Sequence, residues 1–237
     1  MATGSGHGVV TVATPSADSD SDLVTGSLTA NLVCTELRVE AVKIAAGESL
    51  TLERGDERIV VPLLQDGAPG AAPRQIGRAP PGAPMTIEAS AELVVLVVRT
   101  RGTDHDADVR WLSLTSVEFS TPSTSQIATA HLTEPLGCDG LKVNARRLVP
   151  GQAVPLHTEG RQEELFVPLD DGSMRIGDRT VETPPGTIVR VAPDTPRSAR
   201  NDGSTSAVWL MFGAPPTGGS TDWDPGATVI ESSGVGS

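Results

Sequence analysis

Short apolar runs punctuated by turn residues dominate the hydrophobic pattern of this chain. Residues 38–44, 58–64, 93–99, 111–117, 141–148, 164–169, 187–191 and 207–212 are rich in Val, Ile, Leu and aromatics. Each run is bounded by Gly, Pro, Asp or Ser, which predicts a strand. No stretch sustains a helical apolar stripe, and 25 Gly with 19 Pro would break most helices. Many short strands between turns predict antiparallel barrels or sandwiches. Residues 65–84 and 214–237, rich in Gly, Pro and Ala or Ser, are expected to be loop and tail, and residues 18–22 an acidic, Ser-rich surface segment.

The pattern is written twice. Residues 22–52 recur without a gap at 126–156, 104 positions on. Thr25, Leu28, Thr29, Leu32, Cys34, Leu37, Val39, Ala41, Gly47 and Leu52 match Thr129, Leu132, Thr133, Leu136, Cys138, Leu141, Val143, Ala145, Gly151 and Leu156. Pro-Pro-Gly at 80–82 returns at 184–186 with the same offset. An ungapped match of this length implies an internal duplication of a unit of about 100 residues. Thr14-Pro15-Ser16 has its echo in Thr121-Pro122-Ser123, which puts the boundary near residues 119–125. The expected organisation is a domain over 1–120, a second over 121–216 and a Gly/Ser-rich tail over 217–237.

Charge narrows the partners. With 30 acidic against 18 basic residues the net charge is −12, which argues against nucleic acid. Lys43 and Lys142 are the only lysines. So few lysines in an acidic chain suit either a high-salt cytoplasm or a GC-rich genome. Cys34 and Cys138 hold equivalent places in the repeat and are expected to be apolar, reduced thiols. Residues 1–8 lack the features of a signal peptide, and the longest apolar run, 93–98, is too short to cross a bilayer. The expectation is a soluble cytoplasmic protein, not membrane-bound, with homo-oligomerisation open.

Candidate chemistry concentrates in the second copy. Gly151 stands six positions before His157, followed by Glu159, Glu164 and Asp171, and later by Gly186, Asp194, Arg197 and Asn201. This resembles the two motifs of the cupin superfamily, Gly-x5-His-x-His-x3–4-Glu-x6-Gly and Gly-x5-Pro-x-Gly-x2-His-x3-Asn. The resemblance covers residues 140–215, and Gly213-Ala214-Pro215-Pro216 is similar to small haloarchaeal cupin-domain proteins. It implies an all-β fold: two tandem cupin-like antiparallel jelly-roll barrels, a bicupin, from the internal duplication.

The departures bear on function. In metal-binding cupins two His and a Glu of the first motif join a His of the second around a divalent metal. Here His157 and Glu164 are kept, Glu159 replaces the second His and Arg197 the third; Asp171 and Asp194 replace two glycines. The metal candidates are thus His157, Glu159 and Glu164, for Mn, Fe or Zn. A guanidinium offers no lone pair and repels a cation, so the expectation is no metal cofactor, with Arg197 paired to Glu159 or Glu164 in its stead. The bland alternative for His157 is a hydrogen-bonded core residue. Glu163, on the opposite strand face from Glu164, is expected to be solvated. Arg190, Arg197 and Arg200 read either as a patch for an anionic ligand or, the favoured reading, as a charged rim. Phe166, Trp209 and Phe212 are expected in the core, and His105 in a solvated loop. In the first copy Glu53 falls at the His157 position and Arg58 at the Glu164 position, and the second-motif loop is missing, so that half is expected to be scaffold.

The fold does not fix an activity. The leading expectation is a small-molecule binder, its ligand anionic and sugar- or organic-acid-like, using His157, Glu159, Glu164 and Arg197. His157 and Glu164 would act as acid/base groups or ligands and Arg197 as an anion clamp. The alternatives are a non-catalytic coat or complex subunit built from barrels, and a divalent-metal isomerase, lyase or dioxygenase.

Overall fold

The computed structural model describes residues 7–11, 23–27, 32, 34–69, 72–102, 108–121, 126–217 and 226–231. His105 and the acidic segment at 18–22 lie outside the described residues. In chain order the strands of the first half are β1 (His7–Thr11), β2 (Leu23–Ser27), β3 (Arg38–Ile44), β4 (Ser49–Leu52), β5 (Glu57–Gln65), β6 (Ala68–Pro69), β7 (Gln75–Ala79), β8 (Met85–Glu88), β9 (Leu93–Thr100) and β10 (Arg110–Ser113). Then come β11 (Ala128–His131), a one-turn helix α1 (Thr133–Leu136), β12 (Lys142–Leu148), β13 (Leu156–Thr158), β14 (Glu163–Pro168) and β15 (Ser173–Ile176). The last are β16 (Arg179–Glu182), β17 (Thr187–Val191), β18 (Arg197–Arg200), β19 (Ala207–Ala214) and β20 (Thr228–Glu231). No helix among the described residues is long and apolar enough to cross a membrane.

The duplication is visible in the strand order. One large antiparallel sheet runs β10-β7-β5-β9-β3-β2, with β6 attached to β5; the other runs β1-β17-β14-β19-β12-β11. Position by position these are the same sheet, with one exchange. The strand that leads the first repeat, β1, pairs with β17 of the second half, and the strand that leads the second repeat, β10, pairs with β7 of the first. Opposite each large sheet lies a smaller one: β4-β8 in the first half, β16-β15-β18-β13-β20 in the second. The fold is all-β, two tandem antiparallel jelly-roll barrels.

Both faces of each large sheet are covered, which explains the near-continuous apolar runs. Along β9, Val95 and Val97 join the core inside the first barrel, while Val94, Leu96 and Val98 join a second cluster shared with the other half. Along β14 and β19, Phe166, Trp209 and Met211 fill the second barrel, while Leu165, Val167, Leu210 and Phe212 enter the shared cluster. Side chains alternate across a strand, so a sheet buried twice needs apolar residues at every position. The large sheets therefore pack back to back, and the shared cluster is the seam between the barrels.

That seam overturns the solvated reading of Glu163 and the rim reading of Arg190. Glu163 does lie on the opposite face from Glu164, but that face meets the other barrel, not water, and Glu163 is 1% exposed. Its carboxylate accepts from Arg190 Nε and Nη2 at 3.0 and 2.7 Å. It also accepts from the backbone N–H groups of Thr35, Glu36 and Leu37, at 2.9, 3.1 and 3.1 Å, and from the Thr35 hydroxyl. The first barrel returns the contact. Glu57, at the matching position of β5, accepts from Arg78 Nε at 2.9 Å and from the Gly140 N–H at 2.9 Å. Each half thus lends a buried Glu–Arg pair to the loop of the other.

Three further expectations change. The glycine- and proline-rich stretch 65–84 holds β7, a central strand of the large sheet, because its single large apolar residue, Ile76, is enough to anchor it in the seam. The expected tail at 214–237 supplies β20, which pairs with β13. The run 111–117 forms a strand only at its start, since residues 114–116 turn away. Cys34 and Cys138 are both free thiols; Cys138 is buried and Cys34 half-buried.

Candidate functional site

The four candidate side chains come together in the second barrel. His157 on β13 and Arg197 on β18 are directly opposed across the smaller sheet. Glu164, on β14, shares the face of Phe166 and so points from the large sheet toward the same interior. Glu159 follows β13, its N–H donating to the Pro193 carbonyl at 2.8 Å. His157 Nε2 lies 3.6 Å from Glu159 Oε1 and 3.9 Å from Glu164 Oε2. Arg197 Nε donates to Glu164 Oε2 at 3.0 Å, and Nη1 donates to the carbonyls of Pro193 and Thr195 at 2.6 and 2.9 Å. The loop 193–196 therefore ties down both Glu159 and Arg197. Of the two carboxylates named as partners for Arg197, Glu164 is the one it meets.

The imidazole is held neutral. Burial, reinforced by the positive charge of Arg197, pushes His157 down to about 3. Its Nδ1 lies 2.7 Å from the Pro155 carbonyl, which can only accept, so Nδ1 carries the proton and Nε2 presents its lone pair to the carboxylates. The field of Arg146, a buried arginine on β12, pushes the same way. Arg146 belongs to neither motif, and only its place on a strand that crosses the barrel links it to the site.

His157, Glu159 and Glu164 each offer a ligand atom, and these atoms lie within 4.8 Å of one another, so the three could hold a metal ion. One imidazole nitrogen and two carboxylate oxygens suit Mn, Fe or Zn. The fourth corner does not. Arg197 is fully buried there and already bonds the Glu164 oxygen that would face the ion. The residues present thus supply three ligands for such an ion, and the buried guanidinium opposes a fourth.

The surroundings separate the remaining candidates. Arg200 pairs with Asp202 at 2.7 Å on the surface, and Arg190 belongs to the seam, so neither joins Arg197 in a patch. Phe166 and Trp209 pack inside the second barrel and Phe212 in the seam. The tail strand β20 is a part of the site that the sequence pattern missed: Val229 sits opposite His157 on the other edge of β13. Gly160, next to Glu159, lies so close to Gly226 that a Cβ there would come within 2.6 Å of the Gly226 Cα. A segment rich in Gly and Ser carries no strand signal, so its role could not be read from pattern. In the first barrel Arg58 occupies the Glu164 position. It is buried and donates to the carbonyls of Leu52, Glu53, Pro80 and Ala83, closing that interior with protein groups.

No family model and no curated protein matches the chain. Solved structures do. The putative glyoxylate-induced protein from Pseudomonas aeruginosa aligns with a TM-score of 0.61 at 13% identity, over 81% of this chain and 79% of that one. A cupin 2 conserved barrel domain protein from Leptotrichia buccalis gives 0.56 at 12%, over 82% and 89%. Oxalate decarboxylase from Bacillus subtilis, with Mn(II) centres, gives 0.57 at 10%, over 88% and 74%. At such identities the likeness speaks for the fold alone. A chain whose two halves each build such a barrel shares the fold of these cupin-type proteins, with two jelly-roll barrels in tandem.

Proposed function

We propose that the protein is a small-molecule-binding bicupin whose ligand sits at His157, Glu159, Glu164 and Arg197, with the guanidinium standing where related barrels hold a metal. One observation carries the reading. Arg197 is 0% exposed, yet its Nη2 has no hydrogen-bond partner among the described residues. A buried donor left unpaired costs about 1–3 kcal/mol, and an oxygen of a bound ligand would supply the acceptor. Around that donor, the Nε2 lone pair of His157 and the carboxylates are acceptors suited to hydroxyl protons. A molecule carrying both an acidic oxygen and hydroxyl groups matches this set, so the ligand class is an anionic, sugar- or organic-acid-like compound. Arg197 orients its acid oxygen, Glu164 holds Arg197 in place, and His157 accepts a hydrogen bond from a ligand hydroxyl at Nε2. The first barrel, filled by Arg58, serves as scaffold. That filled interior is also what favours the second reading, an assembly subunit with no ligand.

Metal analysis of wild-type and Arg197→His protein tests the proposal. The expected result is wild-type protein with far less than one metal per chain, and a variant in which the new imidazole raises affinity for Mn, Fe or Zn. Stoichiometric metal in the wild type, with no gain from Arg197→His, would install the divalent-metal enzyme reading instead.

A further inference from the structure

We propose that the seam between the barrels holds a second binding site, separate from the barrel interior, for a small organic anion bearing carboxylate or phosphate groups, gripped by Arg38, Arg99 and Arg101. A cavity of about 630 Å³ opens there, floored by Gly140 and walled by Pro215 and these three arginines. That volume is typical of small-molecule sites. Its charge runs against the molecule as a whole: the chain carries −12, yet three arginines line this cavity against Glu36 and Asp56.

The arginines are available to a ligand. Arg38 meets Asp56 only at 3.7 Å, with the two side chains 72% and 42% exposed, a surface pair that holds its partner weakly. Arg99 is oriented by Glu40 through Nε and Nη2 at 3.3 and 3.2 Å, which leaves Nη1 outside that pair. Arg101 has no side-chain partner among the described residues, and it is exposed. The buried Arg58 feels the excess as well: burial, then the charge of Arg99, weakens its hold on its proton. The backbone donors of Thr35, Glu36 and Leu37 are spent on Glu163, so recognition falls to side chains. Guanidinium forks match the paired oxygens of carboxylate and phosphate. Because the floor comes from the second barrel and the arginines from the first, a ligand here would brace the two barrels together.

Citrate and glycerol phosphate, each titrated by calorimetry and thermal unfolding at constant ionic strength against sodium chloride, test the site and tell carboxylate from phosphate. Saturable heat and a rising Tm are expected with at least one of them. The Arg38→Ala/Arg101→Ala double variant changes exposed residues, and should unfold like wild type without ligand while losing affinity on the order of tenfold or more. His157→Ala should leave this binding intact, which separates it from the barrel site. The proposal falls if neither probe exceeds the chloride control, if the double variant binds as wild type, or if His157→Ala removes the binding.

Discussion

Glu163 and Glu164 are adjacent in sequence, lie on opposite faces of one strand, and answer to different partners. Glu163 serves the seam and is saturated by six donor groups from two barrels, whereas Glu164 faces the barrel interior with one arginine. Removing one partner of a buried, fully bonded pair leaves the other charge stranded. Glu163→Ala is therefore expected to lower stability by about 3–5 kcal/mol in urea unfolding, with Glu164→Ala costing less because that side chain keeps some contact with water. Arg197→Ala should also destabilise, since Glu164 then loses its counter-charge. The thiols give a pH test. Burial, aided by the negative charge of Glu163, pushes Cys34 from 9.0 up to about 12, and burial raises Cys138 as well. A raised native pKa favours the neutral thiol, so this contribution is whole below pH 9 and drains away as pH climbs toward 12. Alkaline unfolding should ease when Cys34 becomes Ser, and native protein at pH 8 should react with a thiol reagent far more slowly than denatured protein, which should show two thiols. The resemblance to the cupin motifs was enough to place His157, Glu159, Glu164 and Arg197 around one point, because those motifs lie on facing strands of the barrel. Spacing could not say what covers the far face of β14, so alternation assigned Glu163 to the right side and to the wrong surroundings.

Strands that the sequence pattern made plain are those whose side chains meet apolar neighbours on both faces, such as β9 and β19. The ones it hid draw their stability from something other than a hydrophobic run. β7 carries Gly77, which makes room for the Trp111 ring lying on it, and Arg78, which binds Glu57. β20 is exposed along its length and is held by backbone pairing to β13. Its attachment depends on the close approach of Gly160 and Gly226. Gly160→Val should lift β20 from β13 without touching the barrel core. Hydrogen exchange should then speed up at the amides of residues 156–158 and 228–231 while those of β12 and β19 stay protected. Equal loosening everywhere would mean the segment is part of the core instead.

At the level of the whole molecule, the barrels are not independent parts. The shared cluster draws its apolar residues from both halves, the two Glu–Arg pairs reach across reciprocally, and Arg74 bonds Asp170 at 3.0 Å between them. A single cooperative unfolding transition is expected by calorimetry, and either half expressed alone should bind hydrophobic dyes or aggregate. Two resolved transitions would show that the seam contributes little. The repeat made the two-barrel plan legible, since ten identities in register are hard to mistake; the exchange of β1 and β10 was not, because pairing partners leave no mark on a strand's own composition.

That exchange sets an order of assembly. β10 is made directly behind the sheet it completes, so the strands of the first large sheet can pair while the second barrel is still being made, with their seam face not yet covered. β1 is made well before its partner β17, with Val191 the residue that meets His7 and the whole first barrel lying between them in sequence. β1 must therefore wait until the strands between it and β17 have been made, and long-range pairing of this kind is slow. The barrel finished later is the one that carries His157 and Arg197, and its large sheet is complete only when β1 comes back from the far side of the first barrel to seal it.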